Sequence, residues 1–194
     1  MKIFATLVFA AAISFSACNN NKNESKETSA NTTDTSKSQE QTINTAEPKA
    51  PISMSEVLSG YLHLKNALTN DNGKDAATAA NSISDALKKI DKAAMPVDQK
   101  KVYEDIEGDL KENVEHIGEN AGKIDHQREH FELLSKDVYD LVKTFKANQI
   151  LYKDFCPMAN DGKGAIWISE TKEIKNPYLG KKMPTCGSVK EEIK

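Results

Sequence analysis

The sequence predicts a mainly α-helical protein: an antiparallel up-down four-helix bundle, followed by a C-terminal loop-rich module that contains a small β-hairpin. Two observations indicate this fold. Four segments have apolar residues spaced three or four positions apart, which places them along one face of a helix. From residue 150 onwards this spacing disappears, and turns rich in glycine, proline and asparagine surround one short apolar run.

The helical periods fill the first part of the folded region. In the last of them, Phe131, Leu134 and Val138 follow one another at intervals of three and four residues. The breaks between the segments contain asparagine, glycine or proline, and such short connections favour antiparallel neighbours. We therefore predict helices over roughly residues 53–69, 74–92, 97–118 and 123–147.

The C-terminal module covers about residues 150–190 and has a different character. Its one apolar run, Ala165–Ile168, is the candidate for a β-strand. We expect the aromatic side chains of Trp167 and Tyr178 to pack this module against the bundle. The folded region, residues 52–194, therefore comprises the helical bundle and this module.

Residues 1–17 have the features of a secretory signal peptide. Lys2 gives a positive start, and the apolar run from Ile3 to Phe15 is too short to span a bilayer stably. Small residues then precede Cys18, an ending that resembles the lipobox of bacterial lipoproteins. The resemblance implies that Cys18 becomes the mature N-terminus and carries lipid. The alternative is ordinary signal cleavage, which would leave a free thiol.

Residues 18–51 are predicted to form a disordered tether, because they are mostly polar and cannot bury enough apolar surface to order the chain. We expect a lipid-anchored protein of the cell envelope, at the outer membrane, with its folded region facing the periplasm or the cell surface. The formal net charge of −3 excludes the basic surface that nucleic acid requires. The sequence has no phosphate-binding loop, nucleophile elbow or Cys-x-x-Cys pair, so we do not predict an enzyme.

Two cysteines remain after Cys18, and each has a methionine close by. Met158 follows Cys156 by two residues, and Met183 precedes Cys186 by three. Thiolate and thioether sulfur together select Cu(I) among common metals, although either methionine alone could simply fill the core. The alternative is a Cys156–Cys186 disulfide, which an oxidising compartment favours and which would stabilise the fold by about 3–4 kcal/mol. The residue types leave both interpretations open.

The segment from Cys156 to Gly187, CPMANDGKGAIWISETKEIKNPYLGKKMPTCG, resembles a small family of unknown function. That family occurs in bacterial envelope lipoproteins and is fused to periplasmic adaptor proteins of copper and heavy-metal efflux pumps. The similarity covers roughly residues 54–190, with Ile166 and Leu179 as departures. It implies metal handling, either buffering of Cu(I) or its transfer to an efflux adaptor or pump, and it favours metal over disulfide. The matching residues are Gln127, Arg128, Phe131, Ser135, Cys156, Pro157, Met158, Gly164, Ala165, Trp167, Asn176, Pro177, Tyr178, Gly180, Met183, Cys186 and Gly187.

Three histidines form a secondary candidate metal site. His126 and His130 lie four residues apart and would share a face of the fourth helix, while His116 lies near the end of the third. Across an antiparallel turn their imidazoles could bind Zn²⁺ or Cu²⁺, although solvated or helix-capping histidines are the simpler interpretation. The His-x-x-Glu-His pattern also occurs in zinc proteases, but a helical bundle lacks the larger α/β fold that proteolysis needs.

Overall fold

The structure is a computed structural model that describes residues 52–194, and every structural statement below refers to this part of the chain. The predicted signal peptide, the predicted lipidation site Cys18 and the whole predicted tether lie outside the described residues. None of the described helices is both long enough and apolar enough to cross a membrane.

The bundle consists of four helices: α1 (Ile52–Thr69), α2 (Gly73–Leu87), α3 (Val97–Glu119) and α4 (Ile124–Phe145). Each helix packs on the next one along the chain, and α4 also packs on α1. The predicted apolar stripes meet in one core, because burying them against each other removes apolar surface from water. The predicted four-helix bundle is confirmed. Its fully buried side chains include Tyr61, Ile83, Leu110 and Leu134.

Two helices end earlier than predicted. α2 ends at Leu87, and the Asp91 carboxylate then accepts a hydrogen bond from the Ala93 amide (2.9 Å), which starts a separate 3₁₀ turn. α4 ends at Phe145, because Lys146 has a φ of 54°, a left-handed conformation that a right-handed helix cannot continue through.

The C-terminal module is a three-stranded antiparallel sheet: β1 (Leu151–Cys156), β2 (Ala165–Ser169) and β3 (Ser188–Ile193), in the order β2-β1-β3. β1 and β2 form the predicted hairpin. The third strand was not predicted, because β3 is largely exposed and charged and lacks an apolar run. Its conformation is set by pairing with β1, where Phe155 faces Ser188.

The sheet lies against the bundle through β2, which packs on α4 and α1. Trp167 on β2 is fully buried, and the Ile168 amide donates a hydrogen bond to the Tyr61 hydroxyl (3.1 Å). The Tyr178 ring contacts Trp167 and Phe131, with centroids 6.0 and 5.5 Å away. The predicted packing is confirmed for Tyr178, which contacts Phe131 on α4, whereas Trp167 is buried and contacts Tyr178 within the module.

Candidate metal-binding sites

The two cysteines of the C-terminal module lie side by side. Cys156 is the last residue of β1, and Cys186 shortly precedes β3, which pairs with β1 in this region. Their side chains are free thiols close enough to interact, and the interaction with Cys156 raises the pKa of Cys186. Cys156 is completely buried, whereas Cys186 is partly exposed. The sheet thus brings both predicted thiol ligands together.

A buried asparagine holds the turn that carries Cys186. The side-chain nitrogen of Asn176 donates to the Cys186 carbonyl (2.7 Å), and its backbone N–H donates to the Pro184 carbonyl (2.8 Å). Its side-chain oxygen accepts hydrogen bonds from the backbone N–H groups of Tyr178 and Leu179, both at 2.8 Å. One side chain therefore fixes the Asn-Pro-Tyr turn and the Cys186 turn relative to each other.

The two methionines near the cysteines are exposed. The exposed fractions are 55% for Met158 and 39% for Met183, against 6% for Met54 and 8% for Met95 in the core. Filling the core is therefore not the role of Met158 or Met183. The backbone of Met158 lies near enough to the Cys186 thiol to oppose the rise in its pKa, and the Cys186 N–H donates to the Met183 carbonyl (3.2 Å). The Met158 side chain itself lines a surface groove beside α4.

An arginine on α4 links the module to the first half of the bundle. Arg128 donates from Nε to the Pro177 carbonyl (2.8 Å) and from a terminal nitrogen to the Leu68 carbonyl (3.1 Å). It also pairs with the Asp71 carboxylate, and this hydrogen bond lowers the pKa of Asp71. Arg128, one of the residues that match the resembled family, is therefore a positioning residue for the Asn-Pro-Tyr turn.

Two further residues of α4 that match the resembled family, Phe131 and Ser135, act in the same junction. Phe131 stacks on Tyr61 with centroids 5.2 Å apart, and the Ser135 hydroxyl bonds to the Tyr61 hydroxyl at 2.8 Å. The Tyr178 hydroxyl donates to the Ile166 carbonyl on β2 and lies 3.5 Å from the Ser135 oxygen. Burial raises the pKa of both tyrosines, so their hydroxyls stay neutral and remain hydrogen-bond donors.

The three histidines converge at the end of the α3–α4 hairpin. The rings of His116 and His130 stack in parallel with centroids 4.2 Å apart, and the His126 ring stands edge-on to both. One nitrogen from each ring lies within 4.8 Å of the other two. All three side chains are partly buried, and burial lowers the pKa of His130, which favours its neutral, metal-binding form. The structure thus brings together all three residues of the secondary candidate site.

One buried acid, Asp154, is not among the residues that the sequence predicts as functional. Asp154 on β1 is completely buried, and neither of its carboxylate oxygens accepts a hydrogen bond from a residue that the structure describes. Burial raises the pKa of Asp154 to about 7, although the Lys65 ammonium opposes the shift. Lys65 is bound instead by Glu170, at 2.6 Å. An aspartate within a strand gives no sign of its burial until the packing of the strand is known.

These observations define a mainly α protein: a four-helix bundle with a small antiparallel sheet, carrying two clusters of candidate metal ligands. Residues 57–150 match the sequence profile of a family described as protein of unknown function (DUF3347). The match covers the bundle and ends just before β1, so it is shorter than the expected 54–190 and leaves out both cysteines. No match is found among curated proteins or among solved structures.

Proposed function

We propose that this protein is a cell-envelope lipoprotein that binds a soft metal ion, Cu(I), and buffers it or transfers it to an efflux adaptor or pump. The observation that carries this proposal is the contact between the Cys156 and Cys186 thiols, at a point where two methionine-containing turns meet. Thiolate pairs bind Cu(I) strongly, and thioether sulfur adds ligands without adding charge. The envelope location rests on the predicted signal peptide and on Cys18, and the efflux link rests on the family resemblance.

The geometry of the thiol pair suits a site that both takes up and releases an ion. Cys156 is enclosed while Cys186 is partly exposed, so an incoming ion meets Cys186 first. Two thiolates around Cu(I) leave a single negative charge, which the buried site tolerates better than two free thiolates. Because both thiol protons must leave, and the pKa of Cys186 is raised, the apparent affinity for Cu(I) should increase with pH through neutrality.

The exposed methionines are suited to completing the coordination. A methionine side chain has three rotatable bonds, so the Met158 and Met183 thioethers can reach different positions at little cost. Their exposure leaves them free of core contacts that would otherwise hold them in place. A neutral thioether exchanges more readily than a thiolate, and an acceptor protein could therefore displace it first during transfer.

Anaerobic titration with Cu(I) against a chromogenic chelator tests the proposal. The full chain carries Cys18→Ala, so that Cys156 and Cys186 are its only thiols. We expect one Cu(I) per chain, and an affinity that falls by far more than tenfold, or 1.4 kcal/mol, in the Cys156→Ser/Cys186→Ser variant. Equal affinity in the two proteins would refute the proposal.

Matched methionine variants separate ligands from packing. Met158→Leu/Met183→Leu should weaken Cu(I) binding by about tenfold, because two neutral ligands are lost while the volume is kept. Met54→Leu/Met95→Leu makes the same chemical change in the core, where both side chains are buried, and should leave the affinity unchanged. If both double variants bind like the parent chain, the thioethers are not ligands.

The second candidate is an envelope interaction module without metal, stabilised by a Cys156–Cys186 disulfide. The same thiol contact favours it, since neighbouring thiols in an oxidising compartment can form a bridge. Alkylation of unreduced protein taken directly from the envelope, followed by mass spectrometry, distinguishes the two candidates. A complete Cys156–Cys186 link that persists in copper-loaded cells supports the second candidate, and free alkylated thiols exclude it.

A further inference from the structure

The end of the α3–α4 hairpin is held rigidly. Gln127, which is buried and follows His126 directly, donates from its side-chain nitrogen to the Ile117 carbonyl (3.0 Å) and to the Gly73 carbonyl (2.9 Å). It thereby ties the start of α4 to the end of α3 and to the start of α2. The histidine cluster lies on the two helices that this side chain joins, so the backbone of the cluster is fixed before any ligand arrives.

A hydrogen bond determines which nitrogen of His130 is free. Asn113 is buried, and its side-chain nitrogen donates to the Asp109 carbonyl one turn earlier (2.8 Å), which turns its side-chain oxygen towards His130 Nδ1 at 2.9 Å. Because an amide oxygen can only accept, Nδ1 of His130 carries the proton. Nε2 of the neutral ring is then an unprotonated donor atom for a metal ion.

His126 is oriented by a carboxylate. Its Nδ1 lies 3.0 Å from an oxygen of Glu129, one turn further along α4. An ionised carboxylate also only accepts, so Nδ1 of His126 is the protonated nitrogen and Nε2 is free when the ring is neutral. A histidine that donates its other N–H to a carboxylate or a carbonyl oxygen is the usual arrangement around protein-bound metal ions.

We propose that His116, His126 and His130 form a second metal site, which binds one borderline divalent ion, Zn²⁺ or Cu²⁺. The juxtaposition of three imidazoles, two of them with Nδ1 engaged by Asn113 or Glu129, carries the proposal. Imidazole nitrogen suits Zn²⁺ and Cu²⁺, whereas Ca²⁺ and Mg²⁺ require oxygen ligands. The site goes beyond the proposed Cu(I) function and does not depend on it.

The distances fit an ion after a small adjustment. Around a tetrahedral Zn²⁺ with Zn–N bonds of about 2.0–2.1 Å, neighbouring nitrogens lie about 3.3 Å apart. The three candidate nitrogens lie within 4.8 Å of one another. Rotations of these partly exposed side chains that move each nitrogen by about 1 Å bring them into range. The carboxylates of Glu112 and Glu129 contribute a negative potential at His130, which favours a cation. Three imidazoles leave one coordination position for water or an added ligand.

His130 of the histidine cluster and Met158, which follows Cys156 by two residues, line two different depressions beside α4. His130 and Asn113 line a cleft between α3 and α4, whereas Met158 lines a groove on the side of α4 that faces the C-terminal module. Leu133 borders both depressions and is 45% exposed, so its side chain forms the ridge between them. Loss of one site therefore need not disturb the other.

Zn²⁺ titration of a thiol-free chain tests the proposal separately from Cu(I) binding. The full chain with Cys18→Ser, Cys156→Ser and Cys186→Ser is titrated with Zn²⁺, and in a parallel arm with Cu²⁺, against a competing chelator. We expect one ion per chain, with Cu²⁺ bound more tightly than Zn²⁺. The His116→Gln/His126→Gln variant should lose at least about a hundredfold in affinity. Binding that is absent, or equal in parent and variant, would overturn the proposal.

His63 supplies the matched control. It is the only other histidine in the sequence, and it lies on α1, where it bonds to Asp75 at 3.1 Å. His63→Gln makes the same chemical change as His116→Gln and His126→Gln and should leave the affinity unchanged. An equal loss of affinity in the His63 variant would show that binding is not at the cluster.

NMR of the imidazole nitrogens in the wild-type chain provides a measurement that does not depend on replacing the cysteines. On addition of Zn²⁺, the Nε2 signals of His126 and His130 should shift while their Nδ1 atoms stay protonated, and the signals of His63 should not move. Unshifted histidine signals would refute the site.

An isosteric change tests the orienting role of Asn113. Asn113→Leu should weaken Zn²⁺ binding by about 10–100-fold, and Asn113→Asp, which keeps an acceptor for His130, should restore it.

Discussion

The buried Asp154 should contribute a loss of stability to this protein as the pH rises from about 4 to about 7. In the folded protein its pKa is raised to about 7 from an ordinary value of 3.8. Below pH 4 the carboxyl is protonated in both the folded and the unfolded chain, so it does not change stability. Between the two pKa values only the unfolded chain releases the proton, and each pH unit lowers the free energy of unfolding by about 1.4 kcal/mol.

Over the whole pH interval, ionisation of Asp154 lowers the free energy of unfolding by about 4 kcal/mol. This value is an upper bound, because water can reach an ionised carboxylate by local rearrangement. Asp154→Asn removes the ionisation while keeping the size and the polarity of the side chain. The variant should therefore be more stable than wild type at pH 8, by about 2–4 kcal/mol, and the difference should close as the pH approaches 4. Above pH 7 the difference should stay constant.

Urea denaturation of both proteins at several pH values between 4 and 8 measures this difference, because two-state unfolding yields a free energy at each pH. Asp161→Asn removes the same charge from an exposed loop and serves as the matched control; it should follow the wild-type curve. Parallel curves for wild type and Asp154→Asn would refute the reasoning, because they would mean that burial of Asp154 carries no ionisation penalty.

Three further changes test the junction and the sheet. Arg128→Lys should lower the free energy of unfolding by about 1–3 kcal/mol in urea, since one ammonium cannot reach Asp71 and two carbonyls at once; an unchanged midpoint would contradict this role. Gly187→Ala should lower the free energy of unfolding by about 1–3 kcal/mol, measured by thermal unfolding, because Gly187 has a φ of 139° and the new Cβ would lie 2.8 Å from the Trp167 ring. An unchanged free energy would show that the turn relaxes freely. A chain ending at Gly187 lacks β3, so its Cys156 should be alkylated faster than in the full chain; an equal rate would show that β3 does not protect the thiol.

The helices could be predicted because each has a period that the sequence displays directly. Phe131, Leu134 and Val138 all point into the core, as their spacing indicates. The ends of α2 and α4 were less predictable, since they depend on a side-chain cap at Asp91 and on a single left-handed residue, Lys146. Neither feature changes the hydrophobic period, so periodicity alone extends both helices too far.

The two candidate sites also differ in how far the sequence alone predicts them. The histidine cluster follows from local geometry, because His126 and His130 are one turn apart and a short turn returns α4 against His116. The contact between Cys156 and Cys186 depends on β3, whose charged sequence gives no strand signal. The residue types and the neighbouring methionines identified these cysteines as candidates, but only the pairing of the strands explains how they meet.

The order in which the two clusters can assemble follows from their positions along the chain. The histidines lie within a single helical hairpin, so they can come together as soon as α4 has left the ribosome. The thiols must wait until Cys186 has emerged and β3 has added to the far side of β1. A chain halted after Cys156 and before Cys186 therefore contains all three histidines but only one of the two paired thiols, so the cysteine pair can form only after synthesis has passed the Asn-Pro-Tyr turn.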